Sequence, residues 1–242
     1  MERDDYDRVL RRSIDRMAVA AEGNLERPVP SCPGWTVADL LSHVTTVLSF
    51  FGAVAAGGAD APSDWAPPQR PADDELVAWF RAETGPAAAA VMAPDPSEPR
   101  WSWSHQHDAG FTQRRMAQEF AVHAWDVENA LGAPDPIGVA VAVDGIDEYL
   151  DIFLPAKEVC LAGPELTAHL HTTDADGEWM LTIGEGAHHL ERAHGKGDVA
   201  VRAPAGDLLL WVWGRRRADA PGFETFGDEA TLTEFRTRIR QW

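Results

Sequence analysis

Within the run MAQEFAVHAWDVENALG, Glu119 and His123 stand four residues apart. On a helix that interval puts a carboxylate and an imidazole on one face, a turn apart, where both can grip a single cation without backbone strain. A second imidazole, His43, sits in LLSHV among Leu40, Leu41, Val44 and Val47. A histidine on so apolar a helix face must find a partner. If the two helices are neighbours, the three side chains converge. Two neutral imidazoles and a carboxylate suit zinc first, and nickel, iron or manganese less decisively. Three protein ligands leave a fourth position for water or a substrate thiol, the arrangement of a catalytic rather than a structural site. Spacing alone leaves a second reading open, because hydrogen-bonded core histidines and chance Glu/His pairs at this interval are common.

Other residues carry weaker signals. Asp126 follows His123 by three and could orient it, whereas Glu128 reads as part of a solvated helix end. Cys32, in SCPGWT, precedes a helix N-terminus that would lower its pKa and make it a nucleophile. The alternative makes PGW a tight turn whose Trp35 packs on the helices and whose cysteine is a small filler. His105 and His107 alternate in WSWSHQHDAG, and His188 and His189 are adjacent; structural roles fit these four better than ligation. GDLLLWVWGRRR joins an apolar helix to three arginines, which suits either a carboxylate-binding site or capping of the helix dipole.

These side chains need elements to hold them. Tyr6, Val9, Leu10, Ile14, Met17, Ala18 and Ala21 form a helical stripe that Gly23 ends. Thr36 is an N-cap with Asp39 three residues on, and the apolar pattern from Val37 predicts a second helix to about Gly57. Residues 57–72 read as a loop, Asp73 to Met92 as a third helix, and Thr112 to Leu131 as a fourth, stopped by Gly132 and Pro134. Residues 101–110 fit an extended lead into that helix. Four helices separated by prolines indicate a bundle. After about residue 160 the period becomes that of strands: LTAHLHTTD, EWMLTIGEG, HHLERAH and DVAVRAP, with Gly and Asp turn signals between them. Helices at Val139 to Leu154, Ala205 to Arg215 and Thr231 to Ile239 flank them. The expected fold is thus α+β in two domains, 1–136 helical and 137–242 mixed.

The formal charge of -18 makes nucleic acid and anionic lipid poor partners, and gives any anionic substrate a need for local arginines. No apolar run approaches the ~20 residues that span a bilayer, and the charged start, MERDDYDRVLRRSIDRM, lacks the core of a signal peptide. Cys32 and Cys160 lie far apart without a C-x-x-C pair, so a disulfide framework is not expected and a reducing cytoplasm is the simpler home. Oligomeric state is not legible.

The segments VPSCPGWTVADLLSHV and RRMAQEFAVHAWDVENALG, in this order and at this separation, resemble the mycothiol-dependent maleylpyruvate isomerase family of actinobacteria. The resemblance covers nearly the whole chain and is looser at GDLLLWVWGR. It implies a DinB-like four-helix N-terminal domain and a smaller α+β domain shaped like sterol carrier proteins. It implies metal ligation by His43, Glu119 and His123, and it makes Arg215 of WGR the nearest match to an arginine used in catalysis. Its cofactors would be a divalent ion, zinc foremost, and mycothiol as thiol cosubstrate; its partner would be an electrophilic small molecule. The implied reaction is cis–trans isomerisation by thiol addition and elimination. Transfer of mycothiol to an electrophile is the nearest alternative, and a non-catalytic small-molecule or protein-binding module is the alternative of another class.

Overall fold

A computed structural model describes residues 1–156 and 162–239 of the chain, which divide into two compact units, Met1–Ile137 and Gly138–Trp242. Cys160 lies outside the described residues, so the structure does not address its pairing.

The first unit is built on four helices: α1 (Arg3–Ala21), α2 (Val37–Ala55), α3 (Asp73–Met92) and α4 (Ala109–Ala130). Leu10, Ile14, Met17, Ala18 and Ala21 bury the α1 stripe as its periodicity requires. The capping box that opens α2 is complete: Asp39 N–H donates to Thr36 Oγ1 at 3.3 Å, and Thr36 N–H returns a bond to Asp39 Oδ2 at 2.9 Å. α1 packs chiefly on α4 and α2 on α3, while α2 also meets α4 and α1 meets α3, which closes the bundle. Gly52 lets α2 approach α3 closely, since a Cβ there would lie 3.2 Å from Ala87.

Two expectations need correction here. α4 begins at Ala109, not Thr112, because Asp108 Oδ1 accepts the Phe111 N–H at 2.8 Å and caps the helix three residues earlier. The lead into it folds back on itself rather than running extended: Arg100 N–H donates to the His107 carbonyl at 3.2 Å, and Ser102 Oγ donates to the Gln106 carbonyl at 2.6 Å. A further correction concerns α2, which by length and composition is long and apolar enough to cross a membrane. In this structure its apolar face is buried in the bundle, through Leu40, Leu41, Val44 and Leu48 among others.

The second unit holds a five-stranded sheet in the order β3-β2-β1-β4-β5, with β1 (Leu166–Thr172), β2 (Glu178–Gly184), β3 (Ala187–Glu191), β4 (Val199–Ala203) and β5 (Glu224–Phe226). β1 and β4 are parallel and the other pairs antiparallel. β5 escapes sequence reading because it is a three-residue exposed edge with no alternation to betray it. Ala168, Leu170, Trp179, Leu181, Ile183, Val199 and Val201 are buried in this unit's core. α5 (Val139–Glu148) packs on α6 (Ala205–Val212), and α7 (Glu229–Ile239) follows β5. The expected helix to Leu154 is regular only to Glu148; Tyr149–Phe153 is a π-helical turn whose Tyr149 hydroxyl donates to the Ile239 carbonyl. α6 stops at Val212 rather than Arg215, because Gly214 takes φ +83°, a left-handed helix-ending conformation.

The N-cap of α4 gives a stability test. Replacing Asp108 by Ala should cost about 1 kcal/mol, read as a lower midpoint with unchanged slope in urea unfolding of the full chain.

Candidate metal centre

α4 is buried along most of its length, so its polar side chains must satisfy one another or a neighbour. Glu119 and His123 leave one face a turn apart, and the α2–α4 contact brings His43 to them. His43 Nε2 lies 3.4 Å from Glu119 Oε1, and His123 Nε2 lies 3.3 Å from that same oxygen. One ligand atom from each of the three falls within 4.8 Å of the others. The two imidazole rings stand nearly perpendicular, at 83°, with centroids 5.7 Å apart.

Glu119 and His123 are each held from behind. Arg115, one turn before Glu119, donates from Nη2 to Glu119 Oε2 at 2.9 Å, which leaves Oε1 to face the histidines. His123 Nδ1 pairs with Asp126 Oδ2 at 2.8 Å, and Ser31 donates its hydroxyl to Asp126 Oδ1 at 2.5 Å. With the Nδ1 proton given to a fully buried carboxylate, the Nε2 lone pair of neutral His123 faces Glu119 Oε1. Two acceptors 3.3 Å apart repel unless a positive charge lies between them. Either a proton or a metal ion meets that demand, and this chemistry makes the donor set fit a divalent cation.

The electrostatics follow. Burial alone would push the Glu119 carboxyl up. The His123 charge, hydrogen bonds from His123 and His43 and the Arg115 charge outweigh it and hold the group well below the usual carboxylate range. Burial alone would likewise lower His123, but the Glu119 charge and bonding to Asp126 and Glu119 raise it to about 9. In the metal-free chain His123 therefore carries the proton that a cation would displace.

The turn that carries Cys32 and Trp35 borders this centre. Ser31 bonds to Asp126, and the Trp35 ring sets its edge against His43, centroids 5.0 Å apart. Cys32 also offers a ligand atom within 4.8 Å of those of His123 and Asp126. Because both Asp126 oxygens are already engaged, the Nε2 side is the better place for an ion. Sequence reasoning passed over Arg115 and Ser31. The Arg115/Glu119 interval of four was a legible signal for the first; no local pattern pairs Ser31 with a residue 95 positions away.

Glu128 is not a solvated helix end. It takes Arg16 Nε at 2.7 Å and the Asp135 N–H at 2.9 Å, fastening α1 to α4. His105 and His107 are exposed, and neither joins a ligand cluster among the described residues. In the second unit the three arginines after α6 do not form one basic patch. Arg215 Nη1 donates to the Trp213 carbonyl at 2.7 Å with its guanidinium over the Trp213 ring, Arg216 pairs with Asp207, and Arg217 pairs with Asp219.

Comparison with known proteins places these observations. The family model described as the mycothiol maleylpyruvate isomerase N-terminal domain matches residues 6–128, and that of the MDMPI C-terminal domain matches residues 140–234. Two crystal structures share the fold, those of a mycothiol-dependent maleylpyruvate isomerase and of its His-to-Ala mutant. Each is 14% identical over 93% of both chains, with TM-scores of 0.61 and 0.64. No curated protein matches the chain.

The His123 proton gives a linkage test. A cation must displace a proton held with a pKa of about 9, so affinity should rise about tenfold per pH unit from pH 7 to 9 and level off above that. Titration calorimetry of Zn2+ in buffers of differing ionisation enthalpy should count about one proton released per metal at pH 8.

Proposed function

The chain belongs to the mycothiol maleylpyruvate isomerase family, and on that premise we propose that it is a metal- and mycothiol-dependent enzyme that adds a thiol to an electrophilic small molecule and then eliminates it, so converting a cis alkene to a trans one. The observation that carries this reading is the convergence of His43, Glu119 and His123 around one carboxylate oxygen, with Arg115 and Asp126 fixing the outer atoms. A divalent ion there, zinc foremost, would supply Lewis acidity that lowers the pKa of a coordinated thiol and yields thiolate at neutral pH.

The chain's own residues prepare that role. Arg115, together with the two histidines, keeps Glu119 ionised, and by holding Oε2 it leaves Oε1 to face them. Asp126 keeps the proton on His123 Nδ1, leaving Nε2 as the donor. Arg115 and His123 balance the charges of Glu119 and Asp126 in the metal-free state, so exchanging the His123 proton for a divalent ion adds one positive charge that an incoming thiolate neutralises. His43 is about one-third exposed, which leaves that side of the centre open to a thiol. In the implied reaction the sulfur adds to the activated double bond of maleylpyruvate, the resulting single bond rotates, and elimination gives fumarylpyruvate. Arg215 is proposed to hold a substrate carboxylate, as the family resemblance implies.

Metal analysis comes first: the purified chain should carry stoichiometric metal at this centre, and Glu119→Gln and His123→Ala should lose it together with activity, by on the order of 100-fold or more. Asp126→Asn should weaken metal affinity about 10–100-fold, as loss of an orienting carboxylate does. Incubation with mycothiol and maleylpyruvate then separates the chemistries. Conversion without a stable conjugate supports the isomerase, a persistent thioether indicates S-transfer instead, and absence of metal would remove both in favour of a binding module. Arg215→Ala should raise KM for the dicarboxylate more than it lowers kcat.

A further inference from the structure

The second unit contains a histidine cluster that this chemistry does not use. Strand alternation sends Ala168 and Leu170 of β1 to one face and His169 and His171 to the other. Glu178 of β2 pairs directly with His171 in the sheet register and shares that face. His194 comes from the segment between β3 and β4. Two glycines permit that segment to lie against the sheet: a Cβ on Gly195 would sit 2.7 Å from Met180 Cγ, and one on Gly197 would sit 2.9 Å from the Thr167 carbonyl oxygen.

The four side chains close on one point. His171 Nδ1 lies 3.2 Å from Glu178 Oε1, His194 Nδ1 lies 3.1 Å from Glu178 Oε2, and His169 Nε2 lies 3.9 Å from Oε2. The His169 ring centroid is 5.1 Å from that of His194 and 5.8 Å from that of His171. One ligand atom from each of the four lies within 4.8 Å of the rest. His194 Nδ1 hydrogen-bonds to the Glu178 carboxylate and His171 Nδ1 lies against its Oε1, which leaves His169 without a carboxylate oxygen in hydrogen-bond reach. His169 is only 5% exposed, and its Nε2 is buried with no hydrogen-bond partner. A buried ring nitrogen aimed at a carboxylate and two further imidazoles, and bonded to none, is in need of a ligand. Arg202, paired with His171 in register, places a positive charge nearby, but its guanidinium is bound to Glu224 at 2.9 Å.

We infer that His169, His171, Glu178 and His194 form a second divalent-metal site, separate from the His43 centre. Three imidazoles and one carboxylate favour zinc, with cobalt, nickel or copper as the other ions this donor set accepts. Four protein ligands complete a tetrahedron and leave no open position, so the role is structural: the ion clasps the His194 segment to the sheet.

The test counts metal on the full chain, stripped and then titrated with Zn2+ against a chromophoric chelator, with elemental analysis after gel filtration. The doubly substituted His43→Ala/His123→Ala chain should still bind one zinc, and adding His194→Gln or Glu178→Gln should abolish that binding. His194 is largely exposed, so its replacement leaves the fold intact. In the otherwise unaltered chain the same two single changes should lower the count from two to one, and zinc should slow amide hydrogen exchange in residues 192–198. A doubly substituted chain that binds no zinc, or a count unmoved by both His194→Gln and Glu178→Gln, would overturn the inference. A count of one that is lost only with His43 would remove this site and leave the first centre standing.

Discussion

Glu119 sets the terms for the helical unit. It is a carboxylate on a helix that is otherwise largely buried, and an isolated buried charge costs several kcal/mol unless it is paired. Arg115 supplies one partner from the preceding turn, His123 another from the following turn, and His43 a third from α2. The third partner is available only where α2 crosses α4. The same charge that fixes the side chains therefore favours one arrangement of two helices, in a core whose apolar residues would accept others.

The balance continues outward from that carboxylate. His123 lies between Glu119 and Asp126, so it carries a proton in the metal-free chain even though burial opposes one. Asp126 is fully buried and leans on Ser31 from the turn before α2. Trp35 of the same turn borders His43. A short proline-rich loop thus serves two of the three candidate ligands, which explains why its sequence carries a hydroxyl and an indole where a simple connection needs neither. The arrangement fits the proposed cation site: the outer atoms of Glu119 and His123 are fixed by hydrogen bonds, so their inner atoms face His43.

The sheet of the second unit shows the same physics with a different result. Alternation alone makes one face apolar and the other polar, and the apolar face accounts for the buried Ala168, Leu170, Trp179 and Leu181. The polar face gathers three histidines around Glu178. Four donors there would close a tetrahedral coordination sphere, whereas three donors at the His43 centre would leave one position open. On the two proposals made above, donor number is what would separate a clasp from a reactive site.

Much of this was legible in the chain as written. The four helices, the strand-rich second half, the Thr36 capping box and the shared face of Glu119 and His123 all follow from intervals of two, three and four residues, which local backbone geometry enforces. The N-terminus of α4 was misjudged because an aspartate cap outweighs the apolar period, and β5 was missed because an exposed edge strand of three residues has no period. The meeting of His43 with Glu119, the bond from Ser31 to Asp126, the pairing of Glu128 with Arg16 and the approach of His194 to His169 were decided by tertiary structure alone. Each joins segments 25 to 112 residues apart. Such contacts depend on which helix packs on which and how closely a loop can lie on a sheet, and no local periodicity carries that information.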